Sequence, residues 1–177
     1  MSATATRTLS IVLAKLRRMV ALSAAFQAAL GISGGTAEQR AALAAERVFL
    51  KSHVPDREQP FAVVSMGDSL DYQLVAGGDM NHLRPSGSVF LYLRRMTSPL
   101  YLEDRVSAEI DAWDFFSGVI EDVAAIAGAD DANSEFGESH LSIIQMGLVG
   151  WGENPQEEWA SSGRYYEAGI LVNWGDG

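Results

Sequence analysis

Ser69 is the residue whose setting most invites a chemical reading. It lies in Gly67-Asp68-Ser69-Leu70, directly after the apolar run Phe61–Met66, which is short enough for a buried strand. Downstream, Gly77-Gly78-Asp79-Met80-Asn81 supplies a glycine and an asparagine. A serine nucleophile also needs a histidine base within hydrogen-bond reach and a third group to orient it. The chain has three histidines, His53, His82 and His140. Of these, His82 alone has an aspartate three positions earlier, Asp79, and it comes 13 residues after Ser69.

The four letters resemble the heading motif of the GDSL (SGNH) hydrolases. That resemblance implies Ser69 as the nucleophile, with an Asp-x-x-His dyad on a late loop. Here Asp79-Met80-Asn81-His82 is early, some 60 residues precede the motif, and no helical pattern follows Ser69. The motif is therefore read first as a turn between two strands, with a Ser69 esterase as the alternative. No metal site or cofactor is expected. Asp130, Asp131, Glu135 and Glu138 are dense acids without the ordered spacing of a calcium loop, and read as a solvated segment. Gly147-x-x-Gly150-x-Gly152 lacks both the spacing and the following helix of a phosphate loop.

The elements that must position these residues follow from periodicity. Residues 1–8 are small and polar and read as a flexible arm before one α+β domain spanning 9–177. Leu9, Val12, Leu13, Leu16, Val20, Ala24 and Ala28 recur at three- and four-residue steps, predicting one helix over Leu9–Leu30 that ends at Gly31. Thr36 with Gln39 forms a capping-box pattern opening a second helix, to about Phe49. His53–Pro60 is a loop. Phe61–Met66 reads as a strand, Leu70–Ala76 as a weaker one that could pair with it, and Gly77–Gly87 as a turn-rich connection. Ser88–Met96 alternates, with Val89, Leu91 and Leu93 opposite Phe90, Tyr92 and Arg94.

Ser98-Pro99 announces a long helix to Ala127. Its predicted buried stripe is Val106, Ile110, Trp113, Phe116, Ile120, Val123 and Ile126. Its predicted acidic outer face is Glu109, Asp111, Asp114, Glu121 and Asp122. His140–Gly150 and Arg164–Trp174 are strand-like, and the Trp151–Gly163 loop lies between them. The implied class is α+β: a single mixed or antiparallel sheet of about four or five strands with two or three helices packed on it.

Bulk properties narrow the function. The 177 residues contain no cysteine, which excludes disulfides and thiolate chemistry. No apolar run is long enough to span a membrane. The net charge of −10 argues against general nucleic-acid binding. That charge is uneven: residues 1–51 hold seven basic against two acidic residues, net +5, and residues 52–177 hold six against 21, net −15. Such polarity suits copies that dock positive side to negative side around a ring.

Several stretches together resemble the tail terminators, the tail-completion or head–tail joining neck proteins of long-tailed bacteriophages. They are the run 16–27 (LRRMVALSAAFQ), Arg47-Val48-Phe49-Leu50, Gln59-Pro60-Phe61-Ala62-Val63-Val64, the glycine-led strand Gly87–Met96, the long helix and the closing Val172-Asn173-Trp174-Gly175. The resemblance implies a sheet flanked by helices; the incomplete catalytic set around Ser69 separately reads as no enzyme. The resemblance also implies a hexameric ring in the virion neck, made in the host cytoplasm, that caps the tail tube and meets the head connector or stopper. DNA would pass through the lumen only in transit, with no small-molecule substrate and no membrane. On this reading Arg17, Arg18, Arg94, Arg95, Trp151, Glu157, Glu158 and Trp159 are the candidate interface residues.

Overall fold

Alternation along three strands puts one apolar row of each on the same side of a sheet, and that row organises the molecule. The computed structural model describes residues 3–50, 60–77, 80–96, 104–129, 141–153 and 165–176. In chain order the elements are α1 (Ala3–Leu22), α2 (Ala24–Ala29), α3 (Ala37–Ala45), β1 (Val48–Leu50), β2 (Phe61–Gly77), β3 (Met80–Met96), α4 (Arg105–Gly128), β4 (Leu141–Glu153) and β5 (Tyr165–Asp176). The strands form one five-stranded sheet of order β1-β2-β3-β5-β4. It is mixed, because β1 runs parallel to β2 while the other pairs are antiparallel. This is the α+β class that the sequence implies.

Register fixes the core face. Ala62 and Val64 pair with Leu93 and Leu91, which pair in turn with Ala168 and Ile170. With Val89, Val172 and Trp174 they enter one buried cluster with Val12, Leu16, Met19 and Val20 of α1, Phe26 of α2, and Ala108, Ala112, Phe115, Phe116, Val119 and Val123 of α4. Phe26, Phe115 and Phe116 form an aromatic chain with centroid separations of 6.3 and 5.3 Å.

Several boundaries differ from the sequence expectation. Helix α1 starts at Ala3, so the segment expected as an arm is helical from residue 3. The single helix expected over Leu9–Leu30 breaks at Ser23, which caps α2 by accepting from the Phe26 amide. The Ser23 hydroxyl donates to Asp122 Oδ2 at 2.8 Å, and the Ala25 amide donates to the same oxygen at 2.9 Å. A carboxylate from α4 thus satisfies donors at a new helix start, a long-range tie that periodicity does not carry.

Gly31 ends α2 as expected, with φ +73°, while the Ile32 and Gly31 amides donate to the Gln27 and Ala28 carbonyls in a Schellman arrangement. The Thr36–Gln39 capping box forms. Helix α3 stops at Ala45, and Val48–Leu50 instead lies beside Ala62–Val64 as β1. The N-cap of α4 is Asp104, whose carboxylate accepts from the Ser107 amide; Ser98-Pro99 and the His53–Gln59 part of the expected loop lie outside the described residues.

Removing the Asp122 carboxylate leaves a buried hydroxyl and an amide without their acceptor. Asp122→Ala is expected to lower stability by about 2 kcal/mol, as for a lost hydrogen bond to a charged group. The double variant with Ser23→Ala should cost less than the sum of the two single changes, because both remove one tie. Urea unfolding of the four proteins measures both quantities.

Candidate functional site

The serine motif occupies a bulge. Met66 pairs with Val89 and Leu70 with Gly87, so Gly67, Asp68 and Ser69 stand opposite Ser88 alone within one continuous strand. This replaces the expected turn between two strands. The bulge tolerates no side chain at two glycines: a Cβ on Gly67 would lie 2.2 Å from Ser88 Oγ, and one on Gly87 2.6 Å from the Ser69 carbonyl oxygen.

The Ser69 hydroxyl lies 3.1 Å from the Ser88 hydroxyl, and its amide donates to the same oxygen at 3.4 Å. His82 pairs with Val75, six positions along β3 from Ser88. That is about 20 Å of strand. Ser69 therefore has a hydroxyl as its neighbour, and the one Asp-x-x-His histidine is far along the ribbon. His53 and His140 lie outside the described residues. So does most of the acidic segment 129–138, Ala129 excepted.

The expected turn-rich connection Gly77–Gly87 is largely strand. Strand β3 begins at Met80, and Leu70–Ala76 pairs with its first half instead of with Phe61–Met66. Beyond the β3–β5 pairing, which starts at Ser86, the two strands continue as a two-stranded ribbon to Gly77 and Met80. The bulge adds two residues to β2, an even number, so side-chain facing is preserved across it. Leu70, Tyr72 and Leu74 consequently continue the row of Ala62 and Val64, but all three are exposed, Leu74 by 65%. Met66 lies on the same row and is exposed too. Asp71 and Gln73 take the opposite face.

Helix α4 carries the second uncovered surface. Phe116 and Val123 of the predicted stripe are buried, but Val106, Ile110 and Trp113 point outward, Val106 exposed by 68% and Ile110 by 55%. The face against the fold uses Ala108, Ala112, Phe115 and Val119 instead. Small residues allow this approach: a Cβ on Gly118 would meet the Ala25 Cβ at 2.9 Å. Two residues of the predicted acidic outer face also turn inward. Asp122 caps α2, and Asp111 accepts from Arg95 at 3.0 Å. What remains outside is an apolar stripe flanked by Glu109, Asp114 and Glu121.

The candidate arginines meet groups of their own chain. Arg17 donates to the Val48 and Ala45 carbonyls at 3.0 and 2.9 Å, joining α1 to the end of α3 and to β1. Arg18 pairs with Glu38 at 2.7 Å. Arg95 lies over the Phe115 ring at 5.2 Å while bonded to Asp111. Arg94 is on the far side of the sheet, 5.6 Å from the Phe61 ring centroid and paired with Glu167. Trp151 is in β4, in register with Ala168, while Glu157, Glu158 and Trp159 lie outside the described residues. The sequence reading missed Asp111, Asp122, Glu167 and the overhanging row; the even spacing of Leu70, Tyr72 and Leu74 was the available signal for the last.

Burial, reinforced by the hydrogen bond to Glu167 and its negative charge, raises the Tyr92 hydroxyl above its ordinary value, with Arg94 opposing. A raised folded value favours the neutral phenol in the fold. Its contribution is complete below the unfolded value of about 10 and disappears as pH rises through the folded value. Above about pH 10 the thermal midpoint of wild type should therefore fall more steeply than that of Tyr92→Phe, as followed by circular dichroism. Comparison with known proteins leaves the site to be read from its geometry, since no family model and no curated protein matches the chain.

Proposed function

We propose that this chain is a structural protein that works by docking broad surfaces, a ring-forming neck component of the tail-terminator kind. In this reading copies assemble as a hexameric ring that caps a tail tube and meets the head connector, with DNA passing through the lumen. The observation that carries it is α4, apolar on the face it packs and apolar again on the face it turns outward. A helix hydrophobic on both sides belongs between two layers, and the described residues supply one.

The charge distribution supports the same reading. A ring of chains with net charge −10 would present few sites for retaining a phosphate backbone during transit. The two charge-biased parts of the chain, net +5 and net −15, suit head-to-tail neighbours.

Mass photometry of the purified chain, alone and with tail tubes, is expected to show a hexamer or a monomer that becomes a ring on tubes. A chain that stays monomeric in both settings and is absent from purified particles overturns the proposal. In a short-chain ester assay, wild type and Ser69→Ala should give the same background rate; a loss of turnover in the variant would restore the esterase reading.

A further inference from the structure

The two uncovered apolar surfaces are of opposite kinds, and each is what the other lacks. Within the chain the row Ala62, Val64, Val89 and Leu91 is covered by helices. Its continuation at Leu70, Tyr72 and Leu74 is the same face of the same strand, now beyond the helical layer. What covers this row elsewhere is an apolar helix face, and the chain has such a face to offer in Val106, Ile110 and Trp113 of α4. The dimensions agree: the four steps of strand from Leu70 to Leu74 span about 13 Å and the seven steps of helix from Val106 to Trp113 about 10 Å. The stripe points away from its own sheet, so the two surfaces cannot meet within one copy.

Resting on the ring reading above, we propose that the overhanging half of the β2–β3 hairpin of one copy lies across the outward stripe of α4 in the next copy. The contact is heterologous, each copy giving its hairpin to one neighbour and its helix to the other. Closure of that pattern makes a ring. It also stabilises the ribbon, since a two-stranded hairpin is only marginally stable alone in water.

The absence of native cysteine makes the contact directly testable. Copies carrying Leu74→Cys are mixed with copies carrying Ile110→Cys under mild oxidation, at a concentration where wild type associates. The expected product is a mixed cross-linked dimer in clear excess over either like-with-like product. Leu74→Glu and Ile110→Glu, both at exposed positions, should leave the circular dichroism spectrum unchanged and weaken association about tenfold or more. Mixing these two variants should restore a dimer and nothing larger, because each pair then retains one intact contact. An intact oligomer without the mixed cross-link, or without loss on either glutamate substitution, overturns this contact and leaves the ring reading standing. A wild type that never associates overturns both.

Discussion

Side-chain parity across the β2–β3–β5 register is the constraint on which the rest of the structure depends. Each strand alternates, so a slip of one position would exchange every core residue for its neighbour. Ala62 and Val64, Leu91 and Leu93, and Ala168 and Ile170 share a face only because the register holds. The bulge at Gly67–Ser69 could have broken this, yet it inserts an even number of residues and carries the same facing into the hairpin. Gly67 and Gly87 are the steric condition for that bulge, since a methyl group at either would collide with the opposite strand.

Polar ties then set how the helices lie on this face. Asp122 of α4 holds the start of α2, Arg95 of β3 reaches Asp111 of α4, and Arg17 of α1 holds the end of α3 and β1. Each is partly shielded, so each constrains orientation more than an exposed pair would. The Asp122 and Arg95–Asp111 ties hold α4 with Ala108, Ala112, Phe115 and Phe116 in the core. Val106, Ile110 and Trp113 lie on the opposite side of the helix and are exposed.

The functional reading joins these two features. A sheet that extends past its helices and a helix that is apolar on both sides are incomplete halves of one layered arrangement. In a head-to-tail assembly both halves are completed at once, and the same contact propagates from copy to copy. Ser69, by contrast, sits where the bulge places it, beside Ser88, in a position explained by strand geometry.

The amino-acid sequence by itself determined the α+β class, the absence of thiol chemistry, the Thr36–Gln39 cap, the helix stop at Gly31 and the alternation of Ser88–Met96. All are local, depending on residue type and spacing within a few positions. It also placed the uneven charge, which needs only counting. Tertiary structure decided what depends on partners distant in the chain. The break at Ser23 requires Asp122, 99 positions away. Val48 becomes strand because Ala62 lies beside it. Gly77–Gly87 reads as punctuation until β2 pairs with it. On α4 the inward face joins Ala108 and Ala112 to Phe115, Phe116, Val119 and Val123, while Val106, Ile110 and Trp113 of the periodic stripe turn out. Periodicity shows that a helix has an apolar face; only the neighbours decide which face is turned inward.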